Sequence, residues 1–449
     1  MEYPGSTLKR PLRLAMLITF IAAFFIISPL VIIYSAGYRF DLRNGLLRET
    51  GSLSVDVLPE TAAVYLDGLK IDQKIPIRLN NITPHKYMIK LSLPGYYDWE
   101  KQIEINKNQT TYIKELVMLK KDRPLLFSKD RAEVLSVSPG GKYLAQIEPK
   151  KSGSYLVITN TLSRTEVGDG LILPISKPKI VWSENGEFLS ISEANSPYED
   201  LLVISASQPA KYNRLPAQRD QTIKKYIWSR DTEPKLYYEA GGSLFTYLPR
   251  LQQSSRVCSS TFQDWYMDDG SLWTINYLSS TKKLSIYSDS LGFKNTFASI
   301  EETGSEPSST LLSLRLESGK KNAVVLSDPG TEKFFIVRQD KYFKVGGKQM
   351  YYSKFGNWLL IWNPWELWTY SEGDDPYLLN RTGENLKNVI PLDQYNTLAL
   401  VWQDGVTALY PYFYIQRQLI SGEIDSVTAD PQARALYYSD KGGVWKLSY

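Results

Sequence analysis

Hydrophobic and polar positions alternate in three different ways along these 449 residues. Leu14 to Tyr34 holds 21 residues without a charge. At 1.5 Å per residue this run reaches about 31 Å, enough for a hydrocarbon core of about 30 Å. It predicts a transmembrane helix, with Pro29 tolerated inside it as membrane helices allow. The run exceeds the 7–15 apolar residues of a cleaved signal peptide, so an uncleaved anchor is expected. Lys9, Arg10 and Arg13 precede it and Arg39, Arg43 and Arg48 follow it, so the basic count on the two sides is equal. The first cluster lies closer to the apolar run, which places the tail inside and the bulk of the chain outside.

From residue 51 the period changes to two. Leu53, Val55 and Val57 alternate with polar residues, and so do Tyr87, Ile89, Leu91 and Leu93. This is the pattern of half-buried strands. Asp67-Gly68 and Pro94-Gly95 mark tight turns, and Pro76 belongs at a sheet edge because it donates no ladder hydrogen bond. Strands with one apolar face must pack sheet on sheet, which predicts a small β-sandwich over 51–120.

After residue 120 a phrase recurs: an apolar strand, a polar turn, then an aromatic-rich strand. Clear copies carry Ser138-Pro139-Gly140-Gly141, Ser183-Glu184-Asn185-Gly186, Ser229-Arg230-Asp231 and Asp268-Asp269-Gly270. Their first positions lie 45, 46 and 39 residues apart. Weaker copies are assigned at Glu317-Ser318-Gly319, Ser353-Lys354-Phe355-Gly356, Asp393-Gln394-Tyr395-Asn396 and Asp430-Pro431-Gln432-Ala433. A period of about 40–45 residues with several strands per unit predicts a β-propeller, here of seven or eight blades. The last copy supplies about three strands and ends near Gly443–Leu447. A fourth strand from Arg123–Phe127 would complete that blade and close the ring.

The expected fold is therefore all-β after one N-terminal transmembrane helix, a small β-sandwich followed by a seven- or eight-bladed propeller. The predicted divisions are a cytoplasmic tail (1–13), helix (14–34), linker (35–50), sandwich (51–120) and propeller (121–449).

Two stretches have family likenesses. Gly51-Ser52-Leu53, Pro59-Glu60-Thr61-Ala62, Val64-Tyr65-Leu66-Asp67-Gly68, Pro76, Leu79, Pro84 and Gly95-Tyr96 together resemble the PEGA domain family. Thr61 stands where that family's name motif has glycine. The resemblance implies a small β-sandwich of bacterial and archaeal surface proteins that mediates binding or assembly, without catalysis. The later repeats resemble the blades of WD-like and Tol-type periplasmic propellers.

Composition narrows the chemistry. Basic residues number 52 and acidic ones 48, with no basic stripe, so a nucleic-acid partner is not expected. One cysteine, Cys258, and one histidine, His85, exclude a Cys/His zinc site. Any Ser-His or Cys-His nucleophile would need His85, which lies in a predicted turn with no triad spacing. Cys258 is read as a small core residue. Glu372, Asp374 and Asp375 flank Gly373 and Pro376, which is turn chemistry rather than a calcium loop. No phosphate loop, dinucleotide fingerprint or nucleophile elbow occurs. No metal, cofactor or catalytic residue is expected. The densest aromatic cluster, Trp358, Trp362, Trp365 and Trp368, is the candidate ligand platform for sugar rings or an aromatic peptide, with blade core as its competing reading. The expected role is a membrane-anchored envelope binding or scaffold protein with a protein or cell-wall glycan partner. The alternative is a glycan hydrolase or lyase with carboxylates at the channel mouth.

Overall fold

The computed structural model describes residues 10–35, 38–41, 46–150, 153–195, 197–216, 221–268, 270–290, 293–301, 313–319, 322–339, 341–353, 358–371, 374–395 and 397–449. The chain divides into two compact units, Met1–Lys121 and Asp122–Tyr449.

The first unit begins with one α-helix, Arg10–Ser35, with Pro29 inside it. Its stretch Pro11–Ser35 has a mean hydropathy of 2.8 and is exposed along its length. Two hydroxyls are satisfied by the helix itself: Thr19 Oγ1 donates to the Ala15 carbonyl at 2.9 Å and Ser35 Oγ to that of Ile32 at 2.9 Å. That suits a helix in a medium where water cannot bond to polar groups.

Beyond it lie a two-stranded sheet within the expected linker, Tyr38–Asp41 paired with Leu46–Glu49, and two larger sheets. Gly51–Leu58 is central in the first of the larger sheets, paired antiparallel with Ile77–Ile82 and parallel with Thr110–Val117. The second runs Leu69–Lys70, Ala63–Leu66, His85–Ser92, Trp99–Ile105. The alternation seen in the sequence becomes the core: Leu53, Val55, Val57, Ile89, Leu91 and Ile105 are each buried. Pro76 immediately precedes the edge strand Ile77–Ile82. Asp67 (φ 48°) and Gly68 (φ 79°) form the left-handed pair that a tight hairpin demands. Asp67 Oδ1 also accepts from the Met88 amide at 2.7 Å. Thr61 is not among the residues at positive φ, so threonine in place of the family's glycine brings no backbone strain.

The second unit contains, among the described residues, eight four-stranded antiparallel sheets. Their first strands are Val134–Val137, Pro178–Trp182, Ile223–Trp228, Asp264–Asp268, Arg315–Gly319, Gln349–Ser353, Asn388–Pro391 and Ser426–Asp430, which number the blades one to eight. Blades one to seven step outward through successive hairpins. Apolar clusters join neighbouring blades at seven of the eight junctions. Ile147 and Leu156 of blade one meet Leu189 and Ile191 of blade two, and Val203 meets Tyr238 of blade three. Trp265 joins blades three and four. Further clusters link four to five, five to six and six to seven. Tyr437 and Val444 of blade eight return to Leu135 and Leu144 of blade one. Central strands are apolar on both faces because each face meets a neighbouring blade.

Blade eight is composite, in the order Leu125–Ser128, Gly443–Ser448, Ala435–Asp440, Ser426–Asp430. Leu125 pairs with Lys446 and Leu126 with Trp445. Phe127 packs edge-on against Tyr437, ring centroids 5.3 Å apart. The expected closing strand is thus present, and blade count resolves at eight.

In four of the repeats the recurring Ser or Asp caps the turn after the first strand. Ser183 Oγ accepts from the Phe188 amide at 3.0 Å, and the Gly186 amide bonds to the Ser183 carbonyl at 2.9 Å. Ser138 Oγ does the same for Tyr143 at 3.0 Å. Asp393 Oδ1 takes the Tyr395 and Thr397 amides, and Asp430 Oδ1 those of Gln432 and Ala433. Ser183 is wholly buried. Ser183→Ala leaves its partner amide unsatisfied and is expected to lower stability by about 1–3 kcal/mol, read from the midpoint of urea unfolding. An unchanged midpoint would show that the hydroxyl carries no weight in the turn.

One weak repeat is misplaced. Glu317-Ser318-Gly319 lies inside the first strand of blade five, Arg315–Gly319, and is not a turn. Its glycine serves packing, since a Cβ there would stand 2.3 Å from the Trp273 ring. Lys354 to Gly356, Asp269 and Asn396 of other copies lie outside the described residues.

Candidate functional site: the propeller channel

The first strands converge on a cavity of about 970 Å³, lined by blades one, two, five, six, seven and eight. Lys179 of blade two is exposed in it, and Glu317 of blade five is half-buried. Ser327 Oγ donates to Glu317 Oε1 at 2.5 Å.

A second cavity of about 320 Å³ shares Lys179 and extends to Glu184, Tyr198, Tyr226 and Arg230. Arg230 is held from several sides. Its guanidinium lies 3.3 Å from Asp268 Oδ1, donates to Tyr266 Oη at 3.2 Å and stacks 5.3 Å from the centre of the Tyr352 ring. Blade three therefore reaches side chains of blades four and six. Burial, and then the Glu184 carboxylate, push the Tyr351 phenol above its usual pKa, with Arg230 opposing. Burial, followed by Glu317, likewise raises Tyr198. Tyr198 and Tyr226 meet edge to face, centroids 5.3 Å apart, and burial raises Tyr226 to about 12. These phenols stay neutral and act as hydrogen-bonding groups, not as bases, near pH 7.

The remaining acids of this region have structural partners. Asp264 Oδ2 accepts from Lys225 at 3.0 Å and from the Leu316 amide at 2.6 Å. Burial alone would raise Asp328, but bonds from Thr331, Ser313 and the Gly330 amide hold it below its usual value. Glu332 pairs with Lys348 at 3.2 Å.

The sequence-level platform is dispersed. Trp358 and Trp362 alternate with Leu359 and Ile361 on the second strand of blade six and are buried, at 6% and 4% exposure. Both belong to the cluster shared with blade seven. Trp368 packs toward blade five, with its Nε1 donating to Glu366 at 3.1 Å. Trp365 alone of the four stands out, 55% exposed in the turn between strands. Asp374 accepts from Ser371 at 2.6 Å and Asp375 pairs with Lys341 at 2.9 Å, while Glu372 lies outside the described residues. No cluster of three metal-ligating side chains occurs among the described residues.

His85 opens the strand His85–Ser92 rather than sitting in a turn, its ring edge-on to Tyr87 at 5.6 Å. Cys258 is half-buried on the outer strand of blade three, Gln253–Ser259, and burial raises its thiol.

The channel residues Lys179, Glu184, Arg230 and Tyr351 are absent from the sequence-level candidates. A signal existed for two of them: Glu184 and Arg230 each follow the capping serine of a repeat.

No curated relative matches the chain. Among solved structures, the Cps50 (Swd1) β-propeller domain of Myceliophteria thermophila is 11% identical, with 72% of this chain and 97% of that one covered at a TM-score of 0.40. Sqt1 of Saccharomyces cerevisiae is also 11% identical over 72% and 97%, at 0.43. The dihydro-heme d1 dehydrogenase NirN is 10% identical over 64% and 66%, at 0.44. Likeness at this level assigns no activity, and the propeller is established by its own strand pairings. The family model of the PEGA domain matches residues 50–119, the two-sheet segment described above; this chain carries a PEGA domain there.

Proposed function

We propose that this protein is a membrane-anchored binding or scaffold protein of the cell envelope. Its N-terminal helix spans the membrane, its PEGA domain and propeller are extracytoplasmic, and the propeller holds an envelope protein or cell-wall glycan. The observation that carries this reading is the closed eight-bladed ring around a polar channel whose acids are tied into structural bonds. Glu317, Asp328 and Glu332, which line its main cavity, each have a hydrogen-bond or ion-pair partner. Such a channel is suited to holding a ligand, whereas a glycosidase needs an acid and a second carboxylate poised on one bond.

Protease treatment of wall-stripped cells carrying a C-terminal tag tests the placement, with a cytoplasmic marker as leakage control. Loss of the tag while the marker survives is the expected result. A tag that disappears only after lysis places the propeller in the cytoplasm and ends the envelope reading.

A further inference from the structure

We infer that the channel cavity receives an extended acidic peptide, with Lys179 and Lys333 as the groups that select its carboxylates. This deepens the binding role proposed above and selects protein over glycan, but it does not depend on the envelope placement.

Charge comes first. The cavity is lined by three lysines, Lys179, Lys333 and Lys348, and three acids, Glu317, Asp328 and Glu332. Lys348 is taken by Glu332. Asp328 is held by Ser313, Gly330 and Thr331, and Glu317 by Ser327. Among the described residues no carboxylate pairs with Lys179, on blade two, or Lys333, on blade five. Lys179 and Lys333, on different blades, thus line one cavity without an ion pair of their own among the described residues, and a carboxylate of the ligand supplies one.

Backbone comes second. Lys179–Ile180 and Gln349–Tyr351 line the cavity, on the strands Pro178–Trp182 and Gln349–Ser353, which among the described residues pair along one side only, with Phe188–Glu193 and Trp358–Trp362. Their other edges offer amides and carbonyls in the manner an added strand uses.

Ring faces come third. Sugars are held by exposed aromatic faces, yet Phe334 and Trp362 are buried in the cavity wall, at 4% exposure each, and Tyr351, at 38%, is the exposed aromatic of its lining. Peptide is favoured over polysaccharide on that ground. A volume of about 970 Å³ accommodates a short stretch of chain rather than a folded domain.

Fluorescence anisotropy on the full-length protein in detergent micelles tests this. The probes are a fluorescein-labelled peptide of about ten alternating Glu and Ser residues, its Gln/Ser counterpart, spanning roughly 33–36 Å when extended, and labelled oligogalacturonate as an anionic glycan. The Glu/Ser peptide is expected to bind at least about tenfold tighter than the Gln/Ser one and to weaken as salt rises. Lys179→Glu with Lys333→Glu is expected to lower its affinity by about tenfold or more. Lys441→Glu, at an exposed lysine paired with Glu423, leaves it unchanged. Near-UV circular dichroism checks that the double variant is folded, and Lys179→Met, expected to weaken binding severalfold, replaces it if it is not. Equal binding of the two peptides, no loss in the folded variants, or preference for oligogalacturonate overturns the inference. Because binding in micelles is independent of topology, a negative result here leaves the protease experiment standing.

Discussion

Trp265→Ala lowers the stability of the propeller by about 3–5 kcal/mol, the range for removing a large buried aromatic side chain. Trp265 is fully buried between blades three and four, against Leu244 and Met267. Its Nε1 donates to Glu239 Oε2 at 2.9 Å. Glu239 is itself 5% exposed, its other oxygen held by Ser260 at 2.5 Å and Lys224 at 3.2 Å. Truncation opens a cavity between two blades and also strips a donor from a buried carboxylate. Trp265→Phe separates the two effects, since it keeps most of the ring and loses the N–H. It is expected to cost about 1.5–3 kcal/mol, the value of a hydrogen bond to a charged group. Urea unfolding of the full-length protein in micelles, followed by near-UV circular dichroism, measures both. A loss below about 1 kcal/mol for Trp265→Ala, far short of the usual range, would mean that this contact does not hold the blades together.

Gly443→Val opens the ring at the composite blade. Gly443 sits at φ 126°, and a Cβ there would lie 2.4 Å from the Ser128 carbonyl oxygen and 3.2 Å from the Lys129 Cα. Both are backbone atoms of the closing segment, so relief requires Leu125–Ser128 to move off its partner strand. The expected result is a lower unfolding temperature together with rapid proteolytic cutting near residue 125 while cutting elsewhere is unchanged. Gly383→Ala is the control, because nothing lies within 4 Å of a Cβ at that position and its φ is not positive. Equal protease resistance in the two variants would show that the ring tolerates a side chain at its junction.

How far the sequence carries can be seen at particular residues. Ser138, Ser183, Asp393 and Asp430 are visible as turn caps because a small polar side chain beside Gly or Asn has few other local uses. Leu125–Phe127 is legible as the closing strand because the last repeat is one strand short. Gly319 is misleading for a physical reason: its missing side chain makes room for Trp273 across a blade interface, a contact that local spacing does not encode. The stretch Trp358-Leu359-Leu360-Ile361-Trp362 is equally ambiguous, as a strand buried on both faces shows no alternation. The channel charges are least legible. Lys179 and Lys333 matter through which groups they lack as neighbours, and that depends on the arrangement of blades around the ring.

The composite blade also sets a timetable for synthesis. Leu125 emerges early from the ribosome, but its partner Lys446 follows only after almost the entire propeller has been made. At 5–20 residues per second the wait is roughly 15–60 s. Through that interval the exposed side of each newly made blade lacks its apolar neighbour, and the nascent chain is open to strand swapping with another copy. Closure therefore completes only after the last strands are made, and a low local concentration of copies during the wait favours pairing with the chain's own early strand over a neighbour's.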